Sequence, residues 1–251
     1  MSVALVTGAG RGIGRACALA LADAGHAVVV ASRVAGNGEP VADEIRARGG
    51  QAICVPTDVM QRDAIFAAVA RAVAEFGGLD VMVHNAFTGS GRPYRIEDAT
   101  PEEWERASRS AVWASIWCAQ AASPHLKASA QGRLILVSSA AGIEGSDSLP
   151  IYAAVKGAQR GLAASLAREW GSDGVTVNCI APLAATDALE YAFRKNAELK
   201  PFLEGRVALG RLGDPERDIG PVVAFLASEG AGYITGQTIV CDGGNFIATM
   251  S

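Results

Sequence analysis

Residues 3–14 read VALVTGAGRGIG, and the rest of the chain is arranged around this stretch. An apolar, β-branched run at 3–6 is followed by four glycines at alternate positions, Gly8, Gly10, Gly12 and Gly14. An alanine-rich segment of helical character, 15–24, comes next. A strand, a tight turn and a helix in this order expose unpaired N–H groups at the positive end of the helix dipole. The stretch therefore favours a diphosphate-binding turn, although glycines also serve ordinary turns.

The composition bounds the class of protein. The chain has 251 residues, of which 50% are hydrophobic and 19% charged, and its formal net charge is −4 with dispersed Lys and Arg. It can bury a large core, and we expect neither a nucleic-acid partner nor a membrane partner. No apolar run reaches the roughly 18 residues of a membrane helix, and we expect no secretory leader because the first predicted strand begins at residue 3. We expect a cytoplasmic protein with one domain over 1–251.

Cysteines and histidines are spread along the chain without a C-x-x-C pair or the spacing of metal ligands. They are Cys17, Cys54, Cys118, Cys179, Cys241, His26, His84 and His125. This pattern predicts reduced cysteines in the core and no metal site. The pattern does not support a zinc enzyme or a serine hydrolase.

Seven short apolar runs alternate with helical stretches. The runs are 3–7, 27–31, 52–55, 79–84, 133–137, 175–180 and 238–241. This alternation predicts an α/β fold with a parallel sheet covered by helices on both faces. Because ligands bind beyond the carboxyl ends of such strands, we expect two irregular insertions, 89–98 and 183–213, to border a site.

Two helices are marked by their own sequences. Residues 61–76 place apolar side chains on one face, namely Ile65, Ala68, Val69, Ala72 and Phe76. Thr100, followed by Pro101 and by Glu103 at the capping-box position, predicts a helix start with Trp104 entering the core.

The end of the second predicted strand bears on the choice of dinucleotide. An acidic residue there would bind a free ribose 2′-hydroxyl, whereas arginine suits a 2′-phosphate. Ser32 stands where the acid is expected, Arg33 follows it, and Arg11 projects from the glycine turn. Two guanidinium groups and a hydroxyl can hold a dianionic phosphate. The pattern favours NADP(H) over NAD(H); the alternative is that both arginines are solvated surface residues.

A second group of residues follows the fifth predicted strand. Ser139 comes directly after it, and Tyr152 and Lys156 share one face of a helix that Pro150 begins. A phenol has a pKa of about 10, but a cation about 4 Å away contributes on the order of 4 kcal/mol at an effective dielectric of 20. Such a phenol can exchange a proton with an alcohol or ketone. Taken alone, Tyr-x-x-x-Lys is common by chance on exposed helices.

Together the motifs resemble those of the short-chain dehydrogenase/reductase family in its single-domain form, especially its 3-oxoacyl-acyl-carrier-protein reductase-like members. The resemblance covers essentially the whole chain and rests on Thr7-Gly8-Ala9-Gly10-Arg11-Gly12-Ile13-Gly14, Asp58-Val59, Asn85-Ala86, Ser139, Tyr152-x-x-x-Lys156, Asn178 with Pro182, and Gly236-Gln237-Thr238-x-x-x-Asp242-Gly243-Gly244. It implies a doubly wound Rossmann fold whose seven-stranded parallel sheet has the order 3-2-1-4-5-6-7.

The resemblance also implies an activity, an NADP(H)-dependent interconversion of a ketone and a secondary alcohol. Tyr152 would be the acid/base, Lys156 would lower its pKa and hold the nicotinamide ribose, and Ser139 would orient the carbonyl. The implied cofactor-binding residues are Gly8, Arg11, Gly12, Ile13, Gly14, Ser32, Arg33, Asp58, Val59, Asn85, Ala86, Tyr152, Lys156 and Thr186. The resemblance further implies a homotetramer or homodimer, with segment 183–213 covering the substrate.

Three departures from the family pattern keep other functions open. Phe87 stands where the family has glycine, and Ala111 stands where it has a fourth catalytic residue, an Asn. Leu183 replaces the glycine after Pro182, and the run to Thr186 is one residue short. One alternative is therefore a weakly active or inactive NADPH-binding regulatory or assembly protein. A methyltransferase is another, although it would leave Tyr152 and Lys156 unexplained.

The sequence does not identify the substrate. The candidates for contacting it are the charged or polar residues Arg92, Tyr94, Arg95, Glu144 and Asp147. The alternative is that they are solvated loop residues. Acyl thioesters, polyketides, steroids and small cyclic ketones all remain open.

Overall fold

Seven parallel strands form one sheet in the order β3-β2-β1-β4-β5-β6-β7 in the computed structural model, which describes residues 1–89 and 93–247. The strands are β1 Val3–Thr7, β2 Ala27–Ser32, β3 Ala52–Pro56, β4 Val81–His84, β5 Arg133–Val137, β6 Thr176–Pro182 and β7 Thr238–Cys241. Each lies within two residues of a predicted apolar run. The predicted fold class and strand order are confirmed.

Helices connect the strands and cover both faces of the sheet. They are α1 Gly12–Asp23, α2 Ala35–Ala47, α3 Arg62–Phe76, α4 Pro101–Ser108, α5 Ala114–Ala128, α6 Ala141–Glu144, α7 Pro150–Trp170, α8 Asp187–Lys195, α9 Leu199–Glu204 and α10 Gly220–Ala227. A π-helical turn, Arg109–Trp113, joins α4 directly to α5. No helix within the described ranges has both the length and the apolar character needed to cross a membrane.

Alternate residues of each strand enter two different cores. Leu5 and Met82 belong to the core covered by α3, α5 and α7. Ala4 and Val6, which flank Leu5 in β1, belong to the core covered by α1, α2 and α10. Because strands of this kind are buried on both faces, they read as continuous apolar runs in the sequence.

The two sequence-marked helices form, with one correction. In α3 four of the five predicted apolar residues are buried, Phe76 packs against the same core, and Gly77 ends the helix at φ 86°. The capping box between Thr100 and Glu103 is present at the start of α4. Trp104, however, is 49% exposed. Only the last turn of α4 packs inward, through Ala107, so the expectation that Trp104 enters the core was wrong.

Segment 183–213 leaves the sheet after β6 and returns beside its own starting point. The N–H of Ala185 donates to the carbonyl of Gly213 at 2.8 Å, and the N–H of Gly213 donates to the carbonyl of Leu183 at 3.3 Å. Helices α8 and α9 lie between these ends and share a small apolar core of Phe193, Val207 and Leu212. The segment is thus tied at its base and packs largely on itself.

All five cysteines are free thiols. Cys17, Cys118 and Cys179 are buried, and Cys54 and Cys241 are half-buried. Burial raises the pKa of Cys17 and of Cys179 to about 12, so these thiols stay protonated at neutral pH.

Candidate active site

A cavity of about 440 Å³ lies beyond the carboxyl ends of the central strands. Its walls come from the glycine turn after β1, the end of β2, the residues after β3 and β4, and one face of α7. All of the predicted cofactor-binding residues line it: Gly8, Arg11, Gly12, Ile13, Gly14, Ser32, Arg33, Asp58, Val59, Asn85, Ala86, Tyr152, Lys156 and Thr186. The fold therefore brings together residues that are spread over nearly 180 positions of the chain.

The glycine turn has no space for side chains. Gly8 and Gly12 have positive φ angles of 66° and 54°. A Cβ on Gly14 would lie 2.2 Å from the carbonyl oxygen of Gly8. Helix α1 begins here, and no side chain caps it. Its first N–H groups lack intrahelical acceptors, so the turn fits the diphosphate of a dinucleotide.

Asn85 braces this turn from the end of β4. Its Nδ2 donates to the carbonyl oxygens of Thr7 at 3.1 Å and of Gly8 at 3.3 Å. The Thr7 hydroxyl oxygen in turn accepts from the N–H groups of Asn85 and Ala86. The amide of Asn85 is therefore used to hold the turn's backbone, a role that the sequence did not reveal.

The rim of the cavity beside β2 carries two cationic side chains. Arg11 and Arg33 are exposed, and in the described part of the chain neither is within ion-pair distance of a carboxylate. Ser32, which directly precedes Arg33, is buried, and its hydroxyl donates to the carbonyl of Val34 at 3.0 Å. Two arginines without carboxylate partners fit a phosphate better than a ribose hydroxyl.

Tyr152 and Lys156 lie one turn apart on α7 and face the cavity together. The Nζ of Lys156 is 5.7 Å from the centre of the Tyr152 ring. It donates to the carbonyl of Val137 at 2.7 Å and to Oε1 of Gln159 at 3.0 Å. Burial lowers the pKa of Lys156 to about 8. This ammonium is thus close to its titration point at neutral pH.

The pKa of the Tyr152 phenol shifts in the direction opposite to the prediction. Burial raises its pKa, and the side chain of Ser139 acts in the opposite direction. The sequence predicted a pKa lowered by Lys156. The pKa is raised instead, because burial is the larger effect. Lys156, whose Nζ is 5.7 Å from the centre of the Tyr152 ring, directs two of its three donors to Val137 and Gln159.

Ser139 contacts the phenol of Tyr152 and is adjacent in sequence to a cavity-lining residue, Ser138. Ser138 lines the cavity, and its hydroxyl donates to the carbonyl of Lys156 at 2.9 Å. The Ser139 hydroxyl oxygen accepts from the N–H of Ala141 at 3.2 Å. The hydroxyl of Ser139 therefore retains its hydrogen for another acceptor.

Phe87 occupies space that a glycine would leave open. Its ring contacts the Tyr152 ring edge to face and lies 5.1 Å from the Nζ of Lys156. It also lines the cavity. Thr186 lines the cavity too, despite the shorter run before it, and its hydroxyl caps α8 by accepting from the N–H of Leu189.

His84 belongs to a buried network that the sequence did not indicate. Its Nδ1 lies 2.9 Å from the hydroxyl oxygen of Thr7, and its Nε2 lies 3.1 Å from the carbonyl oxygen of Ser110. The Thr7 oxygen accepts two N–H groups already, so it donates its own hydrogen to Nδ1, and Nε2 is the protonated nitrogen. Burial lowers the pKa of His84 to about 3 and keeps the ring neutral.

The candidate substrate contacts do not reach the cavity wall. Tyr94, Arg95, Glu144 and Asp147 are absent from its described lining, and Arg92 lies outside the described residues. Arg95 instead pairs with Glu97 at 3.5 Å on the exposed surface. The interpretation as solvated loop residues is favoured for these charges.

Comparison with known proteins agrees with this geometry. The profile of a family described as enoyl-(acyl carrier protein) reductase matches residues 8–245. The 3-oxoacyl-[acyl-carrier-protein] reductase FabG of Staphylococcus aureus is 38% identical, over 97% of this chain and 98% of its own length. The short-chain reductase protein NovJ of Streptomyces niveus is 39% identical, over 97% and 93%. A solved 7α-hydroxysteroid dehydrogenase, in complex with NADH and 7-oxo glycochenodeoxycholic acid, superposes with a TM-score of 0.90 at 31% identity, covering 97% and 93%.

Proposed function

This chain belongs to the short-chain dehydrogenase/reductase family, and we propose that it is an NADP(H)-dependent oxidoreductase that interconverts a ketone and a secondary alcohol. One observation carries the proposal. Tyr152 and Lys156 face the same cavity as the glycine turn, whose helix start has no side-chain cap. A proton donor and a turn suited to a dinucleotide therefore share one cavity.

The residues of the chain divide the work between binding and proton transfer. The glycine turn and the first N–H groups of α1 would hold the diphosphate, and Asp58 and Val59 would hold the adenine end. Hydride transfer would be the chemistry that a nicotinamide held here supplies. Tyr152 donates a hydrogen bond to the ketone oxygen and gives up its proton as that oxygen gains charge, and Ser139 donates a second hydrogen bond.

Lys156 has one donor left for this site. An ammonium has three N–H groups, and two of them are bound to Val137 and Gln159. The third can serve the nicotinamide ribose. The positive charge close to the ring of Tyr152 favours the phenolate that remains after proton transfer.

Preference for NADP(H) rests on the rim beside β2. Arg11 and Arg33 supply two guanidinium groups, and Ser32 replaces the carboxylate that would repel a 2′-phosphate. Calorimetric titration of the protein with NADPH and with NADH tests this directly. We expect the Kd for NADPH to be at least tenfold lower; equal constants would contradict the assignment.

The reaction is tested with a panel of ketones. The panel contains a 3-oxoacyl thioester, a cyclohexanone carboxylate and a 7-oxo bile acid, since relatives are named for substrates or ligands of these kinds. Purified protein is mixed with NADPH and each ketone, and oxidation of NADPH is followed optically. Turnover of at least one member is expected, and tight NADPH binding without any turnover would contradict an enzymatic role.

The second candidate is an NADPH-binding protein with little or no activity, which acts in regulation or assembly. Three features favour it: Phe87 beside Tyr152, Leu183 after Pro182, and the lack of a polar side chain at Ala111. The shared placement of Tyr152 and Lys156 in the cavity favours the enzyme.

Two further assignments concern the surroundings of the site. Segment 183–213 would cover the substrate, because Thr186 at its base lines the cavity. A homotetramer or homodimer would use the stretch from α4 to α5, where Trp104 and Trp113 are 49% and 52% exposed. Light scattering on the eluting protein distinguishes these assemblies from a monomer.

A further inference from the structure

Gln159 is a buried polar residue next to Lys156 that has no part in the predicted site. Its side chain is on α7, three residues after the lysine, and is 1% exposed. Its Oε1 accepts a hydrogen bond from the Nζ of Lys156 at 3.0 Å. Its Nε2 donates to the Ser115 hydroxyl at 2.9 Å and to the carbonyl of Ala111 at 3.3 Å.

The amide of Gln159 has a partner on each side. An amide offers one oxygen acceptor and an NH₂ group with two donors, and here each is engaged. Reversing the amide would place its NH₂ group against the ammonium of Lys156. Only one orientation is therefore favourable, and in that orientation the amide fixes the position of the ammonium.

The Nε2 of Gln159 contacts a segment between α4 and α5 whose geometry is not α-helical. Residues Arg109–Trp113 form a π-helical turn, and the Ala111 carbonyl within it accepts from the Ser115 hydroxyl at 2.6 Å as well as from Gln159. Single π-helical turns within α-helices are frequent at functional sites. Ala111 itself contributes only its backbone here, at the position where the family resemblance implies a polar side chain.

We propose that Gln159 is a positioning residue that holds the Lys156 ammonium in place and connects it, through Ser115, to the Ala111 carbonyl. It thereby supplies from α7 the polar contact that the side chain of Ala111 lacks. The effect of this contact on catalysis rests on the proposed function, whereas the effect on Lys156 does not. The amide has no proton to give up at neutral pH, so Gln159 orients Lys156 and does not relay protons.

The first test measures Lys156 directly and needs no substrate. The chain has four lysines, Lys127, Lys156, Lys195 and Lys200, so carbon-13 labelling of lysine gives a spectrum of few signals. The Lys156 signal is assigned by its loss in Lys156→Met. Titratable groups that face Lys156 are Tyr152 on α7, His84 on β4 and Cys179 on β6, and all three are retained in the variants below.

Gln159→Leu and Gln159→Glu should shift this titration in opposite directions. Leucine removes an acceptor from the ammonium, so the pKa of Lys156 should fall by about one unit. Glutamate places a carboxylate against it, so the pKa should rise. Midpoints that stay within about 0.3 units of the wild type in both variants, with the fold intact by circular dichroism, would overturn the proposal.

A second, smaller substitution tests the proposal even if Gln159→Leu does not fold. Ser115→Ala removes the hydroxyl that Gln159 contacts, and Ser165→Ala is its matched control. Each serine donates to the carbonyl four residues earlier, but Ser165 lies exposed on α7. Ser115→Ala should shift the Lys156 midpoint, whereas Ser165→Ala should not. Equal midpoints in the two variants would contradict the link through Ser115.

Turnover supplies the second readout. In Gln159→Leu we expect kcat to fall about tenfold and the pH profile of kcat to move with the Lys156 midpoint, while the Kd for NADPH changes less than threefold. A loss of kcat with an unmoved pH profile would indicate a structural defect and overturn the positioning role. If the wild type reduces no ketone, the proposed function fails, but the titration of Lys156 still decides the role of Gln159.

Discussion

The Phe87 ring meets the Tyr152 ring edge to face, with 5.3 Å between the ring centres and 68° between the planes. Edge-to-face aromatic pairs are favourable, and the Lys156 ammonium lies 5.1 Å from the centre of the same Phe87 ring. Phe87 is thus part of the cavity wall beside Tyr152. A phenylalanine at this position narrows the cavity relative to a glycine.

Phe87→Ala should widen the range of ketones that the protein accepts. Removing the ring opens space next to Tyr152, so we expect the ratio of kcat/KM for a bulky over a small ketone to rise about tenfold. Steady-state kinetics on a matched pair of ketones measures the ratio. Phe66→Ala on α3, whose ring lies under the Arg62 guanidinium, is the control. An unchanged ratio in Phe87→Ala would show that Phe87 does not bound the substrate space.

Charge reversal at the rim should weaken NADPH binding selectively. In Arg33→Glu or Arg11→Glu we expect the Kd for NADPH to rise at least tenfold and the Kd for NADH to change much less. The difference should shrink at high salt, because both side chains are exposed. Arg168→Glu changes the net charge equally on the exposed face of α7. A similar rise in that control would assign the effect to net charge alone.

Gly14→Ala should destabilise the fold and weaken cofactor binding. The added Cβ would lie 2.2 Å from the Gly8 carbonyl oxygen and 2.4 Å from Nδ2 of Asn85, so the turn must shift. We expect a loss of about 1–3 kcal/mol in the free energy of unfolding. Urea denaturation measures it.

Gly161→Ala is the matched control on α7. A Cβ there would meet nothing within 4 Å, so alanine should stabilise the helix by about 0.5–1 kcal/mol. Equal changes in the two variants would contradict the close packing of the glycine turn.

The buried ring of His84 should make stability depend on pH. Its pKa is lowered to about 3 in the folded protein, against 6.5 when unperturbed. Between these values the unfolded chain binds a proton that the folded chain does not. Stability from this residue is therefore complete above pH 6.5 and falls toward pH 3, by about 1.4 kcal/mol per pH unit.

His84→Gln should remove that part of the dependence. Glutamine can keep contacts to the Thr7 hydroxyl and the Ser110 carbonyl without titrating. Urea denaturation of both proteins between pH 4.5 and 7 gives the two slopes, in a window that lies largely below the unperturbed value of 6.5. Parallel slopes would show that His84 is not held neutral.

Most of the strands and helices were predictable because they depend on short-range patterns of apolar residues. The strands are buried on both faces, so their apolar runs stand out, and the sheet order followed from the family resemblance. Most of the cavity-lining residues were also predictable, since they lie at or just beyond the carboxyl end of a strand. Tyr152 and Lys156 were predicted from their spacing on one face of a helix. Local patterns were less reliable for Trp104, because exposure there depends on which turn of α4 reaches the core.

The contacts behind the cavity were not predictable. The direction in which the pKa of Tyr152 shifts depends on how deeply the phenol is buried and on its contact with Ser139, and both require coordinates. Gln159 and Ser115 meet across 44 positions, and His84 meets Thr7 across 77, with no spacing signal for either pair. Such networks follow from the packing of helices on the sheet, and a single sequence does not report that packing.

The claim that Tyr152 transfers the proton is tested most directly by Tyr152→Phe. The variant keeps the ring that packs on Phe87 and loses only the hydroxyl, so its Kd for NADPH should stay within about threefold of the wild type. We expect kcat for ketone reduction to fall by about 10²- to 10⁴-fold. Turnover at the wild-type rate by Tyr152→Phe would contradict the account.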